Sequence, residues 1–386
     1  TAALRLCCNI VNVMVLVQRH EHGPHTDDLW RIVPVLRFLV GAPSTGEFCL
    51  PFVMVQFRGS QVSIAFPATE YSMAAIRFFI VGAPKCGTSA MYEYLRSHPA
   101  IFMPRLKEPE FFATDLSGLS TIRTEAEYHQ LFSDGGSHSS ACGEASVFYL
   151  YSSVAVQRIL DFDPSAKFLA MVRNPLQMYP SLHSQFLYSF FEDEADCSVA
   201  WRLQERRLRG ERIPKLCKEP KLLQYAPICS LGEQVSRLFS QVPVENRKVV
   251  IFDDFENSPQ KVYEEVLAFL GIESDGRTDF PLVNKRKSHK NGVIGRFLQS
   301  PPRFLENARN RLKRSYYLHG SLMGRMAYKI LEWSRRFNSR IAGRSQLSDE
   351  FAAELADVFR DDVQLLASLV ERDLGHWLSI PAKTKQ

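Results

Sequence analysis

Short, mostly apolar runs alternate with segments of helical period through the middle of the chain. The runs lie at residues 78–81, 167–172 and 248–252, and their length and composition are typical of buried parallel strands. Between them, apolar residues recur at every third or fourth position, as on one face of a helix. The clearest such segment, residues 259–270, is followed by Gly271 as a C-cap. This alternation predicts an α/β fold built on a parallel sheet.

The C-terminal part carries two blocks of opposite charge. Residues 285–344 are strongly basic, with acidic residues only at Glu306 and Glu332, whereas residues 349–373 form an acidic amphipathic pattern. The expected buried stripe of that second pattern comprises Phe351, Leu355, Val358, Val363, Leu366 and Val370. The two blocks either pack together or form two solvated faces, the commoner arrangement. We predict a mostly helical extension over residues 296–386 that packs on the α/β domain.

The first 72 residues lack a sustained period. They mix short apolar pieces with His20, His22 and His25, and Met73 precedes the first predicted strand. We predict that residues 1–72 are an appendage, poorly ordered or foreign to the natural product, and that the α/β domain covers residues 73–295. The alternative is a small β-rich subdomain, because residues 52–66 have some strand character.

Composition narrows the class of protein. Of 386 residues, 45% are hydrophobic and 23% charged, which is ordinary for a soluble globular protein. The net charge of +5 suits anionic ligands, and no apolar run reaches the roughly 18 residues of a membrane helix. The eight cysteines form no C-x-x-C pair. We therefore expect reduced thiols in a cytoplasmic protein, and neither a disulfide framework nor a metal site.

The loop after the first apolar run has the character of an anion site. Residues 82–89, Gly-Ala-Pro-Lys-Cys-Gly-Thr-Ser, join a predicted strand to a helix N-terminus, where free N–H groups and the helix dipole attract an anion. Gly82 and Gly87 have the spacing of a nucleoside triphosphatase P-loop, but Thr88 stands in place of its lysine. The loop's lysine, Lys85, precedes the second glycine. This order of residues argues against ATP or GTP hydrolysis. The structural alternative to an anion site is an ordinary glycine turn between strand and helix.

A second candidate group follows the second apolar run. Arg173 comes directly after it and Ser181 lies eight residues later, on the next predicted helix. In open parallel sheets, ligands bind at the carboxyl ends of the strands. A guanidinium and a hydroxyl acting together suit a terminal phosphate. An isolated Arg-x-Pro, however, more often contains an arginine with a purely structural role.

Taken together, these motifs resemble those of sulfotransferases that use 3′-phosphoadenosine 5′-phosphosulfate (PAPS). P-K-x-G-T-[ST] at residues 84–89 resembles their phosphosulfate loop, and R-[ND]-P with the later serine resembles their 3′-phosphate motif. Residues 107–112, Lys-Glu-Pro-Glu-Phe-Phe, resemble an element of heparan-sulfate-type and related bacterial members. The resemblance covers about residues 77–289. It implies a P-loop-like parallel sheet with helices on both faces, and transfer of a sulfuryl group from PAPS to a hydroxyl or amine of an acceptor such as a carbohydrate or small metabolite.

The resemblance also implies a set of site residues. The 5′-phosphosulfate is expected to contact Lys85, Cys86, Gly87, Thr88 and Ser89, with the backbone N–H rather than the thiol of Cys86 contributing. The 3′-phosphate, retained in the product 3′-phosphoadenosine 5′-phosphate (PAP), is expected to contact Arg173, Ser181, Arg286, Lys287 and Ser288. No Mg²⁺ clamp is required, unlike in kinases.

Glu108 is our candidate general base, since it matches the family's catalytic glutamate. A carboxylate on a constrained loop beside an anion site can have a raised pKa, while Lys85 would stabilise charge on the leaving phosphate. Glu110, Glu144 and His183 are rival bases. The glutamate–lysine pair of heparan-type enzymes is Glu144-Ala145 here, which weakens inference about the acceptor.

Two other functions stay open at this stage. A P-loop nucleotide kinase is disfavoured by Thr88, and a non-catalytic member of the fold would bind PAPS or an anionic glycan through its basic C-terminal part. We expect no nucleic-acid partner, because the basic region lacks interleaved stacking aromatics of a recognised module. The acceptor and the oligomeric state do not follow from the sequence.

Overall fold

A computed structural model describes residues 52–57, 60–65, 76–135, 139–281, 287–341 and 347–379. The chain divides into two compact units, Thr1–Tyr71 and Ser72–Gln386. In the first unit, β1 (Phe52–Phe57) and β2 (Ser60–Ala65) form an antiparallel hairpin, where strand character was predicted. The rest of the predicted appendage lies outside the described residues, and the predicted domain boundaries stay predictions.

The second unit is built on a five-stranded parallel sheet. Its strands are β3 (Ile76–Gly82), β4 (Ile101–Phe102), β5 (Ala141–Ala145), β6 (Lys167–Val172) and β7 (Arg247–Ile251), in the order β4-β5-β3-β6-β7. The three apolar runs are thus β3, β6 and β7, as predicted. Because the chain first builds the sheet on one side of β3 and then on the other, the winding reverses at β3. The carboxyl ends of β3, β5 and β6 therefore border the crevice where such sheets bind ligands.

Helices connect the strands and cover both faces of the sheet, which confirms the predicted fold class. They are α1 (Thr88–Arg96), α2 (Glu125–Gln130), α3 (Ala155–Phe162), α4 (Pro175–Ser189), α5 (Cys197–Arg202), α6 (Gln204–Leu208), α7 (Tyr225–Cys229), α8 (Leu231–Gln241), α9 (Phe252–Asn257) and α10 (Pro259–Leu270). Capping residues and proline determine where some of these helices begin or end. Asn174 caps α4 and Pro175 occupies its first turn, and Gly271 ends α10 with a left-handed backbone.

Aromatic packing anchors the loop at residues 107–112 to the sheet. The ring of Phe112 lies 5.9 Å from that of Phe79 on β3, edge to face, and 5.1 Å from that of Tyr128. Phe111 stacks on Tyr128 at 4.6 Å. Such pairs contribute roughly 0.5–1.5 kcal/mol beyond burial of their area. The two phenylalanines therefore hold the preceding glutamates against the carboxyl edge of the sheet.

The C-terminal part is mostly helical, as predicted. It contains α11 (Gly292–Gln299), α12 (Arg303–His319), α13 (Leu322–Phe337) and α14 (Asp349–Leu369), and the short strands β8 (Lys287–His289) and β9 (Ser339–Ile341) pair antiparallel. Helix α14 packs on α8 and α4. The prediction of Val358 in its buried stripe is wrong: Phe359, one helical turn after Leu355, is buried instead. Every helix among the described residues is too short or too polar to cross a bilayer.

Candidate active site

The loop between β3 and α1 has the backbone of an anion site. Gly87, the N-cap of α1, has φ of 88°, and no side chain caps the helix. The N–H groups of the first turn are therefore not taken up by a capping side chain. A Cβ at Gly87 would lie 3.0 Å from the ring of Phe252, so both the backbone angle and the space favour glycine there. Lys85 also has a left-handed backbone, with φ of 67°.

Arg173, at the end of β6, contacts this loop directly. Its Nη1 donates to the Lys85 carbonyl at 3.1 Å, and its Nη2 donates to Gln177 Oε1 at the same distance. The guanidinium also lies over the Phe252 ring, 4.1 Å from the centroid, a position that favours a cation. The two turns singled out in the sequence thus meet at one edge of the sheet.

Ser181 and Thr88 lie close to the protein interior. Ser181, on α4, is 5% exposed and Thr88 is 4% exposed, while Ser89 is half-buried. Ser89 is therefore the more exposed of the three hydroxyl-bearing residues.

The thiol of Cys86 lies in the protein interior. The thiol is fully buried beside the Pro84 carbonyl and Met178. Burial raises its pKa to about 12, and the charges of Arg173 and Lys85 offset this only in part. The thiol is protonated and unreactive at neutral pH. The Cys86 N–H donates weakly to the Ala83 carbonyl at 3.4 Å.

Glu108 lies at the carboxyl end of β5, the strand next to β3. Its N–H donates to the Ala145 carbonyl at 2.8 Å, and its backbone is left-handed with φ of 61°. The side chain is 42% exposed and pairs with Lys107 Nζ. Glu108 is therefore held at the crevice by its backbone while its carboxylate stays accessible to solvent.

Glu110, two residues later, is buried. It is 3% exposed, and neither carboxylate oxygen has a hydrogen-bond partner among the described residues. Burial raises its pKa well above the usual range, and the charges of Glu108 and Glu144 add to this. Burial and the neighbouring negative charges therefore favour the protonated form of Glu110.

The other two rival bases are enclosed. Glu144 is fully buried on β5 and accepts hydrogen bonds from the Tyr128 and Ser146 hydroxyls, both at 2.5 Å; burial raises its pKa to about 7 despite these bonds. His183 is 2% exposed and donates from Nε2 to the Glu194 carbonyl at 2.9 Å, and burial lowers its pKa. Of the four candidates, Glu108 has the accessible side chain.

The predicted C-terminal phosphate loop is only partly described. Arg286 lies outside the described residues, and Lys287 and Ser288 begin β8. Strand β8 packs against α4, the helix that carries Ser181. His289 donates from Nε2 to the Tyr188 carbonyl at 2.8 Å and stacks on the Tyr188 ring. The segment thus runs beside the C-terminal end of α4, and its role toward a phosphate stays a prediction.

Two features of the site region were not predicted. Asn174 Nδ2 donates to the Trp377 carbonyl at 2.9 Å, and Trp377 Nε1 donates to Asp253 Oδ2 at 2.7 Å. Arg207, on α6, is buried in a bidentate pair with Glu192 at 2.6 Å. The partners in these three contacts are 203, 124 and 15 positions apart in the sequence, and no local pattern signals them.

Comparison with known proteins gives the family. The sulfotransferase domain model matches residues 75–287, more than half of the chain. Carbohydrate sulfotransferase 15 of Rattus norvegicus is 28% identical over 29% of this chain and 27% of its own length, and that of Homo sapiens is 27% identical over the same shares. The chain thus spans about a quarter of the length of these curated relatives. A sulfotransferase crystal structure from Alicyclobacillus acidocaldarius is 27% identical, with a TM-score of 0.56, and is matched over 98% of its length and 78% of this chain. The chain belongs to the sulfotransferase family, as its motifs predicted.

Proposed function

We propose that this protein transfers a sulfuryl group from PAPS to an acceptor hydroxyl. The observation that carries the proposal is the 3.1 Å contact between Arg173 Nη1 and the Lys85 carbonyl, because it unites two anion-binding turns in one crevice. The residues present fit PAPS: no side chain caps the N-terminus of α1, Gly87 has the left-handed backbone that turns the loop into this helix, and Arg173 adds positive charge. Lys85 and the loop N–H groups would hold the phosphosulfate, and Arg173 with Ser181 the 3′-phosphate.

The chain's own residues supply the acid–base and electrostatic parts of the reaction. PAPS, when bound, supplies the sulfuryl group. Glu108 takes the proton of the acceptor hydroxyl as its oxygen bonds to sulfur, and Lys85 stabilises the charge on the phosphate that leaves. The accessible carboxylate of Glu108, beside the buried Glu110 whose pKa is raised, supports this assignment. Thr88 is buried at the start of α1, at the position where a nucleoside triphosphatase P-loop has its lysine. This replacement supports a donor other than a nucleoside triphosphate.

Two finer points belong to the proposal. The acceptor is a carbohydrate hydroxyl, which the name carbohydrate sulfotransferase of two relatives supports; an amine or a small metabolite is the alternative. The cytoplasmic location and the lack of a nucleic-acid partner stay predictions from the sequence.

Calorimetric titration with PAP tests the donor site, and [³⁵S]PAPS with a panel of carbohydrate acceptors tests transfer. We expect PAP to bind and Mg-ATP not to compete. Binding of Mg-ATP without binding of PAP would overturn the proposal in favour of a nucleotide kinase. Binding of PAP with no transfer to any acceptor would instead support a non-catalytic member of the fold.

A further inference from the structure

Helix α13 exposes a continuous apolar face. Six large side chains on it are each 58–75% exposed: Leu322, Met323, Met326, Ile330, Trp333 and Phe337. Isolated exposed apolar residues are normal on a protein surface, but a contiguous row of this kind marks an interaction surface.

The apolar face is bordered on one side by cations. At about 100° per residue, the six side chains fall within an arc of roughly 100°, and Arg325, Lys329 and Arg336 fall in the adjoining arc of roughly 40°. All three cations are exposed. Lys290 Nζ lies 5.3 Å from the ring centroid of Phe337, which adds a fourth cation at the C-terminal end of the row. We call this combination the α13 face.

The other side of α13 makes its contacts with the rest of the protein. Tyr328 stacks on Tyr316 of α12 at 5.0 Å, and Gly324 is buried close to the Leu312 carbonyl of the same helix. Arg335 Nη2 donates to Gln299 Oε1 of α11 at 3.1 Å. The α13 face is therefore not used to hold α13 on α11 and α12.

Charge decides between two occupants of this face. Residues 287–341 contain thirteen Lys and Arg but only Glu306 and Glu332 as acidic residues, and both glutamates lie near arginines of their own helices. A second copy of the chain would bring a cationic border against the same border, with like charges opposed. An anionic lipid surface suits both the apolar row and its cationic border, because acyl chains accept the apolar side chains and headgroups attract the cations.

We propose that the α13 face docks this protein on anionic lipid bilayers. Helix α13 lies in the plane of the interface, with Ile330, Trp333 and Phe337 at the boundary of headgroups and acyl chains. The long stems of Arg325 and Lys329 let their charged ends reach the headgroups.

Flotation with vesicles of phosphatidylcholine, with and without phosphatidylglycerol, tests the proposal on the full chain. We expect binding to the vesicles that contain phosphatidylglycerol, weakened by salt. The double variant Ile330→Gln/Trp333→Gln should lower partitioning about 100-fold. Arg325→Ala/Lys329→Ala should lower it about 25-fold, and only on the anionic vesicles.

Matched variants elsewhere on the surface serve as controls. Leu208→Gln/Val244→Gln removes two apolar side chains that are 76% and 73% exposed, and Arg158→Ala/Lys215→Ala removes two exposed cations; neither should change partitioning. In a Trp30→Phe background, Trp333 emission should shift to the blue on binding, whereas the further change Trp333→Phe should bind without that shift, since Trp201 and Trp377 are buried.

Two results would overturn the proposal. One is absence of binding to anionic vesicles, or binding that the α13-face variants leave unchanged. The other is a solution mass of a dimer that falls to that of a monomer in Ile330→Gln/Trp333→Gln, because the face would then join two copies of the chain.

Discussion

Arg173 at the end of β6 donates a hydrogen bond to the backbone carbonyl of Lys85, in the loop after the neighbouring strand β3. The guanidinium thus joins the two turns through a main-chain atom. One donor molecule with two anionic ends can therefore contact both turns at once. This relationship underlies the first two predictions.

Arg173→Ala should weaken PAP binding by about 10- to 100-fold, because hydrogen bonds to charged groups contribute roughly 1.5–3 kcal/mol. Arg173→Lys, which keeps the charge but loses the planar fork, should give an intermediate affinity. Calorimetric titration measures both, with Arg158→Ala on α3 as the control and the melting temperature as a check of folding. Unchanged affinity in a folded Arg173→Ala would remove this residue from the donor site.

Lys85→Ala should lower turnover by about 10²- to 10³-fold, as for loss of a group that stabilises developing charge. The side chain is only half-buried, so we expect the melting temperature to stay close to that of the unmodified protein. [³⁵S]PAPS transfer measures turnover, and the exposed Lys215→Ala is the control. If Lys85→Ala transfers sulfate at the normal rate, the leaving phosphate is stabilised by other groups.

Glu108→Gln should cut turnover by about 10²-fold or more while PAP affinity is kept, because a general base acts on the acceptor proton. Glu110→Gln is the matched control from the same loop, because burial favours the protonated form of Glu110 and the amide resembles that neutral form. Single-turnover transfer measured across pH separates the two. Equal losses in both variants would mean that the loop is sensitive to any change and would leave Glu108 without a catalytic assignment.

The raised pKa of Glu110 makes the free energy of unfolding depend on pH. In the folded protein Glu110 binds a proton that the unfolded chain releases above its usual pKa near 4.5, so the folded state binds more protons. Its contribution to stability is complete below that pKa and declines as pH rises, by about 1.4 kcal/mol per pH unit while folded and unfolded states differ by one proton.

Urea unfolding at a series of pH values measures this dependence. Glu144, with a pKa of about 7, adds the same trend between about pH 4.5 and 7. Glu110→Gln should gain stability relative to the unmodified protein as pH rises from about 5 to about 8. A constant difference between the two proteins over that range would show that Glu110 is ionised in the fold.

Sequence patterns predicted the strands that bear the two turns because those strands are apolar throughout. They missed β5, whose residues Ala-Cys-Gly-Glu-Ala have little strand character and indicate a turn. The reason lies in the neighbouring strand: a Cβ at Gly143 would lie 2.1 Å from the Phe78 ring, so glycine is needed for that ring to pack against β5. This requirement for glycine comes from tertiary packing and produces no periodic pattern in the sequence.

The candidate site was predictable to a similar degree. Motif order brought Lys85 and Arg173 to adjacent strand ends, which the topology of parallel sheets requires. The different environments of Glu108 and Glu110 were not predictable. Both residues lie in one charged loop, and only the packing of Phe111 and Phe112 on the sheet decides which of the two glutamates is buried. The family resemblance, rather than any periodicity, selected Glu108.

The contact between Asn174 and Trp377 spans 203 residues, and it ties the Arg-Asn-Pro turn to one of the last described segments of the chain. During synthesis, that turn emerges long before the tryptophan that fastens it. We expect ribosome-bound intermediates, and a chain that stops at residue 374, to retain PAP poorly even though every proposed donor contact is already present. Filter binding of labelled PAP to stalled nascent chains of increasing length would show the step at which retention begins, and early retention would contradict this view.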